Sequence, residues 1–98
     1  MITTKQRAYL RSKANDMDTI LQIGKGGISE QVIKQIDDAL NAREMIKIKV
    51  LENAFISPRE VAAQLMDEVG CDIVQTIGNK LVIYRQIKEK DKRIYVLK

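Results

Sequence analysis

The feature that most constrains the fold is a glycine-rich loop between a short β-prone segment and a helix-like pattern. The apolar segment Thr19 to Ile23 leads directly into Gly24-Lys25-Gly26-Gly27, and the helical pattern follows. Glycine tolerates positive φ and lets the bare backbone approach another molecule closely. A helix N-terminus beside the loop adds unpaired N–H donors and partial positive charge. The local chemistry therefore suits a phosphate group.

Capping signals and apolar periodicity predict three helices. The first helix extends from Thr3 to Ala14, with Thr3 and Gln6 placed as a capping box. Ser29 caps a second helix, which continues to about Ala42 with apolar residues at i, i+3 and i+4 spacing. A third helix begins at Ser57-Pro58-Arg59-Glu60 and ends before Gly70.

The segment 44–51 changes the apolar period from 3.6 to 2, which predicts a strand with one apolar and one basic face. The basic face carries Lys47 and Lys49. A strand buried on both faces would not place two lysines on one side, so the sheet is expected to have an open face. The alternative is that these lysines only prevent sheet-to-sheet pairing.

Two further apolar runs, Cys71 to Ile77 and Lys80 to Gln86, are joined by Gly78-Asn79, a hairpin signal. The charged tail from Ile87 to Lys98 is predicted to be partly ordered, either as a short edge strand or as a mobile end. The order αβαβαββ predicts one domain over residues 1–98. We expect an α/β two-layer sandwich with a four-stranded mixed sheet and its helices mainly on one face.

Composition narrows the class of function. The 98 residues contain 17 basic and 13 acidic side chains, no histidine and one cysteine. No disulfide can form within the chain, and a usual zinc site lacks its ligands. The loop also lacks the Gly-Lys-Ser/Thr ending of a nucleotide-binding P-loop. We therefore expect a cytoplasmic, non-enzymatic protein without cofactor, metal, small-molecule substrate or membrane span, in which Cys71 is a small core residue.

Four segments together resemble the CRM domain, an RNA-binding module of chloroplast group II intron splicing factors and of stand-alone bacterial YhbY-type proteins. Residues 5–11 resemble the opening helix of that family, and Gln22-Ile23-Gly24-Lys25-Gly26-Gly27 resembles its signature GxxG loop. Residues 44–50 are similar to its second strand, although Met45 stands where leucine is common. Residues 74–85 are similar to its closing hairpin.

The resemblance implies a fold like the C-terminal domain of bacterial translation initiation factor three. It also implies that the GxxG loop clamps backbone nucleotides, as in KH domains. The expected partner is structured RNA, in particular large-subunit ribosomal precursor RNA or a pre-ribosomal particle. The candidate RNA-binding residues are Gly24, Lys25, Gly26, Gly27, Lys47, Lys49, Lys5, Arg7, Arg11 and Arg85.

Two other interpretations stay open on the sequence alone. A KH-type domain would need a helix directly before the loop. A protein-docking module, binding ribosomal proteins or assembly factors, would use Met45, Val82 and Tyr84 as an apolar patch. Aromatic residues are few, which argues against a platform for stacking single-stranded bases. Phe55 and Tyr84 are expected in the core, the alternative being that they stack on bases.

Overall fold

The computed structural model describes residues 2–97 and confirms the predicted order of elements. The helices are α1 (Thr4–Ala14), α2 (Glu30–Arg43) and α3 (Pro58–Val69). The strands are β1 (Leu21–Ile23), β2 (Met45–Val50), β3 (Asp72–Ile77) and β4 (Lys80–Tyr84). Short 3₁₀ turns occupy Glu52–Ala54 and Lys90–Lys92.

The helices begin where the capping signals placed them. Thr3 with Gln6, and Ser57 with Glu60, form capping boxes in which each side chain accepts a hydrogen bond from the other residue's backbone N–H. The Ser29 side chain accepts a hydrogen bond of 3.2 Å from the N–H three residues further on. Each cap satisfies donors that the first helical turn leaves unpaired.

The four strands form one sheet in the order β1-β2-β4-β3. The β1–β2 pair is parallel and the other two pairs are antiparallel, so the sheet is mixed as predicted. The glycine loop after β1, the end of β2 and the β3–β4 turn therefore share one end of the sheet. Two backbone bonds join these segments, from Leu51 N–H to the Ile23 carbonyl at 2.8 Å and from Val50 N–H to the Asn79 carbonyl at 2.7 Å. We term this the loop end.

Helices cover the two faces of the sheet unequally. α2 and α3 pack on one face over a core of twelve buried residues: Ile23, Ile36, Leu40, Ile46, Ile48, Val50, Val61, Ala62, Leu65, Cys71, Leu81 and Ile83. α1 lies on the other face, where Leu10 and Ala14 pack against Val82 and Tyr84. Two of the three helices thus share a face, and α1 covers part of the face that was expected to be open.

The tail is anchored by one buried carboxylate at the opposite end of the sheet. Glu44 is fully buried. Its oxygens accept backbone N–H bonds from Ile87 at 2.9 Å, Ile94 at 3.0 Å and Tyr95 at 2.8 Å. The described part of the tail, to residue 97, adds no strand to the sheet. We term this end, with Glu44 and Arg85, the closed end.

Candidate functional site

The glycine loop is a tight turn whose tip is open to solvent. The Gly27 N–H donates to the Gly24 carbonyl at 2.8 Å, which leaves Lys25 and Gly26 exposed at the tip. Only Gly27, at φ 64°, takes the left-handed conformation. A Cβ placed on Gly26 would meet no atom within 4 Å. The fold itself therefore does not require glycine at position 26, and the backbone there is free to contact another molecule.

The turn leads within two residues into the N-terminus of α2. Unpaired N–H groups and the helix dipole favour an anion at such a position. Ser29 already caps one donor, and the carboxylate of Glu30 lies in the first turn. These two groups offset part of the positive potential, so Lys25 supplies most of the attraction that the turn offers to an anion.

A row of side chains crosses all four strands beside the turn. Strand register aligns Gln22 with Lys49, Lys49 with Lys80, and Lys80 with Ile77. Lys49 lies four residues after Met45 in β2, so the two side chains are on the same face of the sheet. Met45 packs under α1, and the row therefore lies on the α1 face. Gln22, Lys80 and Ile77 are exposed and Lys49 is half-buried. We refer to these four residues as the loop-end row, which α1 leaves uncovered.

Lys49 and Lys80 face each other across β2 and β4 without an acidic neighbour. Like charges directly opposite on adjacent strands destabilise a sheet. Within residues 2–97, neither lysine forms an ion pair, and Lys25 forms none either. The arrangement leaves three unpaired cations close to an exposed backbone turn, which is a surface that suits a polyanion.

Lys80 is the member of the row that sequence reasoning missed. The hairpin signal placed it directly after the Gly78-Asn79 turn, but the pairing of β4 with β2 is a long-range contact that no local pattern reports. Sequence reasoning did include Lys47. This residue lies two positions before Lys49 in β2, opposite Val82 on β4, and is half-buried.

The candidate cations of α1 are not gathered at the loop end. α1 packs against β3, whereas the glycine turn extends β1 at the other edge of the sheet. Lys5 and Arg11 are exposed, and the Arg7 Nε donates to the Ile73 carbonyl at 3.1 Å. Arg7 thus ties the helix to the sheet, and a role of these three residues in RNA binding stays a prediction.

Arg85 lies at the closed end and is fully engaged within the protein. Its guanidinium donates to the Asp37 carboxylate at 2.7 Å, the Val69 carbonyl at 2.9 Å, the Asp37 carbonyl at 3.1 Å and the Asn41 side chain at 2.9 Å. These bonds join β4 to α2 and α3. The geometry gives Arg85 a structural role and separates it from the glycine turn.

Two expectations about apolar residues are wrong. The proposed docking patch of Met45, Val82 and Tyr84 is buried beneath α1 and the tail, so it is not a surface. Phe55 was expected in the core and is instead 90% exposed, because its neighbours Ala54 and Ile56 take the positions that pack inward. Tyr84 is a core residue as expected, at 1% exposure.

Cys71 carries a free thiol that is buried. Burial raises the pKa of the Cys71 thiol to about 11, so it is protonated at neutral pH and a poor nucleophile. Residues 2–97 contain no group of three or more Cys, Asp or Glu side chains placed to hold a metal ion. None of their helices has the length and apolar character that crossing a membrane requires.

Comparison with known proteins identifies the family. The sequence profile described as "CRS1 / YhbY (CRM) domain" matches residues 2–85. The chain belongs to this family. The strand that precedes its glycine loop, where a KH domain would have a helix, agrees with the CRM assignment.

Relatives of this CRM-family chain are named for RNA binding. It is 47% identical over 89 residues to "Probable RNA-binding protein YqeI" of Bacillus subtilis, covering 91% of this chain and 93% of that protein. An "RNA-binding protein" of Haemophilus influenzae is 33% identical, with 90% and 89% covered. The solution structure of a Staphylococcus aureus protein, described as a candidate RNA-binding protein, matches with a TM-score of 0.75 at 45% identity, covering 96% and 98% of the two chains.

Proposed function

We propose that this protein is a non-catalytic, cytoplasmic RNA-binding protein, a single CRM-type domain over residues 1–98. It binds folded large-subunit ribosomal precursor RNA during subunit assembly. The observation that supports this most directly is the Lys49–Lys80 pair beside the exposed glycine turn. Opposed lysines cost the isolated sheet stability, and a phosphate backbone would neutralise both.

In this proposal the glycine turn, the lysines and Gln22 of the loop end each make a different contact with the RNA. The N–H groups at the exposed tip of the turn approach phosphate oxygens, and Lys25 pairs with one of these oxygens. Lys49 and Lys80 contact further phosphates of the RNA strand, and Lys47 lies at the edge of this contact surface, next to α1. The amide of Gln22 can donate to a 2′-hydroxyl, a group that distinguishes RNA from DNA. Contacts of this kind read the shape of folded RNA rather than its sequence.

The proposal is tested by comparing Lys25→Ala with Lys90→Ala, an exposed lysine in the tail. Affinity for ribosomal RNA fragments is measured across a salt series. Loss of one phosphate contact lowers the slope of log K against log salt by about 0.7 to 0.9, and the affinity about fivefold near 0.15 M salt. Lys90→Ala should leave both unchanged. An unchanged slope in Lys25→Ala would remove that residue from the site.

Gly26→Ala tests whether the backbone of the turn itself contacts RNA. The added methyl meets no protein atom and the φ of Gly26 is not positive, so the fold should tolerate it. We expect unfolding stability to change by less than about 1 kcal/mol, and RNA affinity to fall several-fold because the methyl blocks the close approach. Wild-type affinity would show that the turn does not clamp the RNA backbone.

The identity of the RNA is tested by crosslinking in cells followed by sequencing of the bound RNA. The proposal expects precursor sequences of the large ribosomal subunit to be enriched, and Lys25→Ala to reduce that enrichment. Enrichment of unrelated transcripts would leave RNA binding in place and contradict the role in subunit assembly.

A further inference from the structure

We propose that Phe55 is a base-stacking residue, and that an unpaired nucleobase next to the phosphate held by the glycine turn lies against its ring. This inference rests on the proposed function and adds to it a recognition site for an unstacked base. It also implies that the bound RNA is a stem with a loop or bulge rather than a continuous duplex.

Phe55 is close to the glycine turn because the segment after β2 packs against that turn. A Cβ placed on Gly24 would lie 3.5 Å from the Asn53 side-chain oxygen and 3.5 Å from a methyl group of Leu51. Phe55 follows Asn53 by two residues, so their Cα atoms are at most about 7 Å apart. Phe55 therefore belongs to the segment that packs against the glycine turn.

The ring is presented to solvent at a cost to the fold. Phe55 is 90% exposed and has φ 54°, the left-handed region that bulky residues rarely adopt. That conformation is unfavourable for an L-residue because it brings the Cβ too close to the following carbonyl oxygen. The described residues make no ring–ring or cation–ring contact with Phe55. Asparagine or glycine would suit this backbone better, and phenylalanine contributes no packing in exchange.

The surroundings of Phe55 favour a nucleobase over a protein partner. Its near neighbours in the chain, Glu52, Asn53, Ser57 and Arg59, are exposed and polar. A single ring among polar groups is too small for the core of a protein interface, which needs a wider apolar patch. One ring is sufficient for one base, since every base has a π-face and the phosphate would already be held nearby.

The test uses Phe55→Trp as a reporter, because the chain contains no other tryptophan. Two RNAs serve as probes, a stem-loop with intact loop bases and the same stem-loop with abasic residues in the loop. Phe55→Trp should bind the intact stem-loop as tightly as the wild type, and its fluorescence should be quenched on binding. Both the quenching and the additional affinity should be absent with the abasic probe.

Substitutions separate the π-face from simple apolar contact. Phe55→Leu and Phe55→Ala should each weaken binding to the intact stem-loop, alanine by about 5- to 150-fold, without a change in salt slope. Both variants should fold normally because the side chain is exposed. Met66→Ala, at an exposed apolar position on α3, is the control and should bind as the wild type does.

The outcomes distinguish this inference from the proposed function. If the Phe55 variants bind both probes like the wild type while Lys25→Ala still weakens binding, the base-stacking site is wrong and RNA binding by the turn stands. Unquenched Phe55→Trp fluorescence in the bound state would overturn the inference in the same way. If the wild type binds neither probe, the proposed function and the inference both fail.

Discussion

The two ends of the sheet differ in whether their charged side chains are paired within the protein. At the closed end, the Glu44 carboxylate accepts three backbone hydrogen bonds and the Arg85 guanidinium donates four, all within the protein. At the loop end, Lys49 and Lys80 are opposed without an acid, and Phe55 has no inward packing. Charges that are satisfied internally maintain the fold, whereas those left unsatisfied are available to a partner.

The largest effect that this comparison predicts is at Glu44. Glu44→Gln keeps the shape of the side chain but replaces one carboxylate oxygen with an amide NH₂. This NH₂ cannot accept the backbone N–H hydrogen bonds that the oxygen accepted. Because hydrogen bonds to a buried charge are strong and orphaned donors are costly, we expect a loss of about 3 kcal/mol in the free energy of unfolding. Urea denaturation at pH 7 measures it.

Glu68→Gln, on the exposed surface of α3, is the matched control and should cost less than about 0.5 kcal/mol. Amide exchange at Ile87, Ile94 and Tyr95 should speed up in Glu44→Gln and stay slow in Glu68→Gln. Equal stability of the two variants would mean that the closed end does not depend on the buried carboxylate.

Arg85→Ala should produce the second largest loss of stability. It also distinguishes the RNA-binding role that the sequence predicted for Arg85 from the structural role that its hydrogen bonds indicate. Removing the guanidinium breaks its ion pair with Asp37 and its bonds to Val69 and Asn41. Because the Asp37 side chain is 46% exposed and solvent weakens the pair, we expect a loss of about 2 kcal/mol. RNA affinity and salt slope, measured where the variant is folded, should match the wild type.

Arg43→Ala removes an exposed arginine at the C-terminal end of α2 and serves as the control for net charge. A reduced salt slope in Arg85→Ala, but not in Arg43→Ala, would place Arg85 in the RNA site as the sequence suggested. The division between the two ends would then be incorrect.

Lys49→Gln and Lys80→Gln should change stability and binding in opposite directions. Each substitution removes the repulsion between opposed lysines, so unfolding stability should rise by about 0.2–1 kcal/mol. Each also removes one phosphate contact, so the salt slope should fall by about 0.7 to 0.9. The double substitution should add little further stability, because the first one has already removed the repulsion. A loss of both stability and binding would mean that the pair is structural.

Sequence reasoning found the parts that local patterns encode. Helix caps at Thr3, Ser29 and Ser57, the strand alternation of β2 and the glycine turn all follow from short-range spacing, and the structure has them. The register that opposes Lys49 and Lys80 depends on the pairing of β2 with β4, which are about 30 residues apart in the chain.

The errors also have physical reasons. Phe55 ends a 3₁₀ turn in the left-handed conformation with its side chain exposed, whereas hydrophobicity alone assigned it to the core. Met45, Val82 and Tyr84 lie on the basic face of the sheet, and the thin apolar side of α1 gave little sign that this helix would cover them. The role of Glu44 depends on a tail that folds back more than 40 residues later.

The smallest effect at neutral pH concerns Cys71 and Tyr84, which are buried at the closed end, because both are protonated at pH 7 in the folded and the unfolded chain. Burial raises the pKa of Cys71 from 9.0 to about 11 and, together with the charge of Glu44, raises that of Tyr84 from 10.0 to about 12. Above pH 9 the unfolded chain therefore releases protons that the folded chain retains, and stability should fall as pH rises. Urea denaturation between pH 8 and 10 should show this decline, and Cys71→Ala should remove the part that begins near pH 9. A decline identical in Cys71→Ala and wild type would mean that water reaches the thiol, and that the closed end is more open than its hydrogen bonds indicate.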